Sequence, residues 1–126
     1  MNLNNDAQNC YAPQISAVGN NVCITYFSDI APGNQDVFFT SSNDNGKTFS
    51  NPIHLSNTPG YVQSVQIIAV KNNIYITWMD YTSNNFDVLF TVSKDNGQTF
   101  STSLNLTNNL DSQNPQIAVT PLELEN

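Results

Sequence analysis

Four aspartates, Asp29, Asp36, Asp80 and Asp87, fall where loops are expected to join the second and third runs of two similar segments. Two carboxylates at a suitable separation are all that a retaining or inverting glycosidase needs. These four recur in pairs, Asp29 with Asp80 and Asp36 with Asp87, each offset by 51 positions. A catalytic centre is normally asymmetric, so the repetition favours a structural or multivalent role and makes the four candidate ligand-binding residues. Tyr81, next to Asp80 and outside a regular run, joins them because loops carry function more often than the scaffold does. His54 alternates with Ile53 and Leu55 and is expected at a solvated outer edge; a lone histidine makes no metal site.

The offset belongs to a larger pattern. Asp44-Asn45-Gly46-Lys47-Thr48-Phe49-Ser50 returns as Asp95-Asn96-Gly97-Gln98-Thr99-Phe100-Ser101, each with Ser two residues before. Gln14 to Tyr26 returns as Gln66 to Trp78, and Asp36 to Thr40 as Asp87 to Thr91. A third copy begins at Asn114-Pro115-Gln116-Ile117-Ala118-Val119, while Asn2-Leu3-Asn4-Asn5 is similar to Asn105-Leu106-Thr107-Asn108-Asn109. The chain is an array that starts in the tail of one unit and ends in the head of another.

The elements that must position these residues are strands. Apolar and polar residues alternate over short runs, or form brief β-branched and aromatic stretches, punctuated by Gly, Asn, Asp or Pro. The pattern predicts strands over 13–18, 21–28, 35–42 and 49–56, then 64–70, 73–80, 86–93 and 100–107, with no helical window. Four short antiparallel strands per repeat, at a period of roughly 40 to 50 residues, are the arithmetic of a β-propeller blade. The expected organisation is all-β: 1–12 as the tail of a preceding blade, 13–58 as blade 1, 59–110 as blade 2, and 111–126 as the first strand of a further blade with a tail.

The motif between the third and fourth strands names a family. Ser42, Asp44, Gly46, Thr48 and Phe49, with Ser93, Asp95, Gly97, Thr99 and Phe100, resemble the Asp-box of sialidase-like and other BNR-repeat β-propellers. The chemistry of such a turn is local. An Asp carboxylate accepts bonds from N–H groups inside the turn, Asn-Gly supplies positive φ, and Phe plugs the hairpin base. In the family the turn lies away from the catalytic face, so the resemblance speaks to fold more than to activity. A calcium loop of EF-hand type would need a distant bidentate Glu, which neither turn has within reach, so no metal and no cofactor is expected.

A working sialidase, by the same resemblance, implies three arginines clamping the substrate carboxylate, a Tyr nucleophile activated by a Glu, and an Asp acid/base. The basic residues are Lys47, Lys71 and Lys94, with no Arg, and the only glutamates are Glu123 and Glu125. Lys cannot reproduce a planar bidentate fork. No family catalytic residue carries over, and the expectation is a non-catalytic scaffold or binding module for carbohydrate or protein. The alternative is a glycoside hydrolase whose site forms only in an assembled or longer propeller. A third is a propeller fragment with no activity of its own.

Two blades cannot close a ring and leave broad apolar faces, so a homo-oligomer is expected; three chains would give the six blades that the resemblance implies. The strand expected near 114–120 could pair with a neighbour's blade or replace its first strand. A net charge of −7 with three lysines argues against nucleic acid and anionic membranes. The 21 asparagines and sparse charge suit an extracellular or cell-surface protein. No signal peptide, lipidation motif or membrane span is read. Asn105-Leu106-Thr107 is a sequon.

A two-residue turn at Gly19-Asn20 would set Cys23 opposite Ser16 and leave Cys10 about 20 Å away, too far for a disulfide. Cys23 is then a small buried residue and Cys10 a free thiol. Tyr26 and Trp78 hold equivalent second-strand positions. Both packing between blades and a platform for a sugar ring suit them.

Overall fold

The computed structural model describes residues 1–3, 8–82, 84–107, 111 and 114–118. Two antiparallel four-stranded sheets account for the strands. The first holds β1 (Cys10–Val18), β2 (Asn21–Ala31), β3 (Asn34–Ser42) and β4 (Ile53–His54), in that order. The second repeats it with β5 (Tyr61–Val70), β6 (Asn73–Thr82), β7 (Asn85–Ser93) and β8 (Leu104–Asn105). The described residues contain no helix, and so none long and apolar enough to cross a membrane.

Register follows from turn chemistry. Gly19, at φ 58°, lets Val18 pair with Asn21, and Ser16 then faces Cys23 as the pattern requires. Ile68 faces Tyr75 at the same place in the second sheet. Both first strands carry a bulge, between Tyr11 and Gln14 and between Gln63 and Gln66, with Ala12 at φ 48° and Ser64 at φ 53°. Cys10 pairs with Ser28, far along the strand from Cys23, and both thiols are free.

The fourth strands are shorter than expected, two residues each instead of eight. The residues leaving each turn bond sideways before pairing begins. Ser50 N–H donates to the Ser41 carbonyl (2.8 Å) and Ser101 N–H to that of Val92 (2.9 Å), while Thr40 and Thr91 hydroxyls donate to the carbonyls of Ser50 and Ser101. A short ladder then forms at Phe39–Ile53 and Phe90–Leu104.

The core lies where β5 and the second turn rest on the first sheet. Val37, Phe39, Val62, Ile74, Ile76 and Trp78 are fully or almost fully buried there. Phe39 meets Phe100 edge-on at 4.8 Å. Backbone bonds also tie the sheets: Gln35 N–H donates to the Gly60 carbonyl (2.8 Å), and Ala69 N–H to Ser16 Oγ (3.0 Å).

The third repeat runs no strand over the described residues 114–118; the rest of its expected strand, 119–120, and the tail 121–126 lie outside the described residues. Its path still copies the second. Phe86 N–H donates to Asp111 Oδ1 (3.2 Å), 51 residues beyond the Gln35–Gly60 pair but to a carboxylate where that pair uses a main-chain carbonyl, and Asn114, at φ 56°, is left-handed like Ala12 and Ser64.

Candidate functional site

The two turns are built alike. Ser42 Oγ donates to Asp44 Oδ1 (2.7 Å) and accepts from Gly46 N–H (2.8 Å). Asp44 Oδ1 accepts from Thr48 N–H (2.9 Å) and Oδ2 from the Thr48 hydroxyl (2.5 Å). Ser93, Asp95, Gly97 and Thr99 make the same four bonds at 2.7, 2.8, 2.9 and 2.5 Å. Asn45 (φ 64°) and Gly46 (φ 82°), like Asn96 (φ 62°) and Gly97 (φ 85°), take the left-handed conformation that Asn-Gly favours. Their N–H groups reach the neighbouring hairpin, Asn45 to the Asn20 carbonyl and Asn96 to that of Asn72, both at 3.0 Å.

With donors on every side, both carboxylates stay ionised to low pH. The Ser42 and Thr48 hydroxyls and the Thr48 amide hold Asp44 far below the usual range. The Thr99 hydroxyl and amide and the Ser93 hydroxyl hold Asp95 down to about 2. Among the described residues no group of three or more His, Cys, Asp or Glu could hold a metal ion.

The candidate ligand-binding residues sit at the opposite end of the strands, and most are committed to the scaffold. Asp36 is fully buried and accepts from His54 Nε2 (2.5 Å) and Ser56 Oγ (3.1 Å). Asp87, also buried, accepts from Asn105 Nδ2 (3.0 Å) and Thr107 Oγ1 (2.9 Å). His54 and Asn105 are counterparts, as are Ser56 and Thr107, so each carboxylate straps a short fourth strand to the third. His54 is therefore more than the solvated edge residue expected: it is half-exposed, stacks on Phe38 at 4.7 Å and pairs with a buried acid.

The register corrects one equivalence. Ser28 pairs with Asp36, and it is Asp80 that pairs with Asp87, so Asp80 matches Ser28 and Tyr81 matches Asp29. A bulge between Asp29 and Ala31 adds one residue to the first sheet, so matching residues lie 52 apart in β2 and β6 but 51 apart in β3 and β7, and the 51-position match of Asp29 with Asp80 is accidental. Asp29 accepts from Tyr11 OH (2.9 Å) and Gln35 Nε2 (3.0 Å). The Gln35 amide first, then Tyr11, lowers its pKa, and the same contact raises that of Tyr11. Buried Asp80 accepts from the Thr58 and Thr82 hydroxyls. Tyr81 is half-buried against Phe86, ring centres 4.7 Å apart. Asp80 and Asp87 are thus the one opposed pair among these acids.

Trp78 is fully buried, which makes it a packing residue and no platform, and Tyr26 is nearly so, stacked on Phe38 at 5.7 Å. Burial also pushes the Cys23 thiol up to about 11.

Sequence reasoning missed a cleft of about 590 Å³ between the two turns. Asn21, Asn43, Asn51, Asn96 and Gln98 bring side-chain amides to it and Phe49 an apolar edge, with no charged residue in its lining. Asn21 Nδ2 approaches Asn96 Oδ1 at 3.5 Å across it. The only signal in the sequence was the density of asparagine at these turns. No protein-family model matches the chain, and no curated protein is similar to it.

Proposed function

We propose that the chain is a non-catalytic, sialidase-like β-propeller repeat protein: its two sheets are blades, and chains assemble into a ring, three chains for six blades. The ring acts as a scaffold or binding module for carbohydrate or protein. One observation carries this reading. The acids that could serve an acid–base mechanism are held in structural hydrogen bonds, and the strapping roles of Asp36 and Asp87 and the turn roles of Asp44 and Asp95 recur in both sheets. What stays open is the uncharged amide-lined cleft, which suits a neutral polyhydroxylated ligand such as a sugar.

The test is a titration of isotope-labelled protein with glucose, galactose, mannose and N-acetylglucosamine, watching side-chain amides by NMR. Shifts at Asn21, Asn43, Asn51 or Gln98 that saturate, with no hydrolysis of aryl glycosides or aryl sialosides, support the reading. Unmoved amides sink the sugar module, and turnover sinks the non-catalytic claim.

The opposed pair Asp80 and Asp87 favours a second reading, a glycosidase completed by assembly. Directly opposite positions on neighbouring strands hold their Cβ atoms about 5 Å apart, which lets two carboxyl groups reach the roughly 5 Å separation of retaining enzymes. Both acids are buried here, so that reading requires assembly to uncover them. Turnover that appears with assembly and disappears in Asp80→Ser would favour it.

A further inference from the structure

The contact between the two sheets joins unlike faces, and each outer face of the chain repeats one half of it. On the second sheet, Val88 and Phe90 hold the positions of Val37 and Phe39. The latter two are fully buried by the neighbouring sheet; Val88 and Phe90 are only half-buried. On the first sheet, Ile15, Val22 and Ile24 hold the positions of Ile67, Ile74 and Ile76. Those three are buried, whereas Ile15 is 66% exposed and Val22 and Ile24 are half-buried. Gly46 matches Gly97. A Cβ on Gly97 would lie 2.6 Å from the Phe39 ring, but one on Gly46 would meet nothing within 4 Å.

We propose that these two faces bind each other between copies of the chain, head to tail, with Phe90 of one copy seated against Gly46 of the next as Phe39 is seated against Gly97. The inference rests on the assembling reading above and specifies its interface. Every residue named on the two faces is uncharged, so their burial carries no ionic desolvation cost, and the surface to be covered is the same kind that the chain already buries within itself. Unlike faces meeting by one rotation generate a ring when the rotation closes.

The third repeat sits on the receiving face. Besides the Phe86–Asp111 bond, Asn114 N–H donates to Met79 Sδ (3.0 Å) and Ile117 N–H to Gln66 Oε1 (3.2 Å), which puts the segment where β1 of the next copy must lie. Residues 114–118 have no strand partner, whereas β1 is laddered to β2 from Cys10–Ser28 to Val18–Asn21. The incoming β1 therefore displaces the segment.

Two full-length variants test this by complementation: Ile15→Asp spoils the first face and Phe90→Asp the second. Light scattering after size exclusion should give about three times the 13.9 kDa chain mass for the unaltered protein and one chain mass for each variant alone. An equimolar mixture should give two chains and no more, because one good face survives on each, and that recovery also shows that both variants fold. Should either aspartate prevent folding, Gly46→Ala and Phe90→Asn replace them. An unaltered protein that stays at one chain mass, or a mixture that stays at one chain mass, overturns the proposal. Variants that still assemble overturn these faces while leaving assembly itself, and the sugar cleft, standing.

Discussion

Gly97, in the turn after β7, and Phe39, in β3 of the other sheet, touch: a Cβ built on Gly97 would lie 2.6 Å from both Cε1 and Cζ of the Phe39 ring and 3.1 Å from Ile74 Cδ1. The second turn thus has two roles, closing its own hairpin and sealing the neighbouring sheet. Its twin at Gly46 has only the first role within the chain.

Gly46→Ala and Gly97→Ala should therefore differ although their backbones match. Both incur about 1–2 kcal/mol for an L-residue in the left-handed region. Gly97→Ala should lose roughly 1–3 kcal/mol more, because a packed ring must move. Urea denaturation of the two variants as monomers checks this, and equal losses would mean that the Phe39 contact is loose.

Phe39→Ala removes a fully buried ring between the sheets and should cost about 3–5 kcal/mol. Phe90→Ala, at the half-buried counterpart, should cost clearly less in the monomer. Similar losses would show that the two positions are equally packed.

Stability should fall in acid because of the turns. Asp44 and Asp95 have folded pKa values below the roughly 3.9 of an unfolded Asp. Their contribution is complete above about pH 4 and drains as protons bind, with Asp95 reaching its folded value at about 2. The urea midpoint should drop over that window, and Asp44→Asn with Asp95→Asn should flatten the drop while lowering the midpoint at pH 7. A midpoint that stays level from pH 5 to 2.5 would contradict the bonding described.

His54→Asn should be tolerated within about 1 kcal/mol, since Asn105 already performs that role for Asp87. His54→Ala removes a partner of a buried carboxylate and should cost on the order of 1–3 kcal/mol. A thermal melt series ranks them; alanine performing as well as asparagine would refute the strap.

At pH 8 a thiol reagent should modify Cys10 readily and Cys23 hardly at all, because the buried thiol is pushed up to about 11. Both should react in denaturant. Rapid modification of two thiols in the native protein would show that Cys23 is reachable.

Much of the architecture was legible because it is set by local chemistry. The hairpin at Gly19-Asn20, the Ser16–Cys23 register and the two Asp-Asn-Gly turns all depend on residues within a few positions of one another. Features that depend on one irregular residue or on distant packing were not. The bulge after Asp29 changes the offset between matching residues from 52 to 51 and hid the match between Asp80 and Ser28. The fourth strands were overdrawn because alternation cannot reveal that Ser50 and Ser101 bond sideways. Packing alone decided the place of Trp78, and the cleft needs two turns brought side by side, which no single repeat encodes.

The chain leaves the first sheet and the second past matching N–H groups, Gln35 bonded to the Gly60 carbonyl and Phe86 to the Asp111 carboxylate, and it enters the third repeat with Asn114 left-handed as Ala12 and Ser64 are. Entry and exit are alike in kind, so a cut repaired at the matching residue of the next repeat, 50 to 52 positions later, would keep the same kind of joint. Recombination within such a gene would need no special breakpoint to add or remove a whole sheet. A chain of this kind can change length by unequal crossing-over while keeping every junction it already uses.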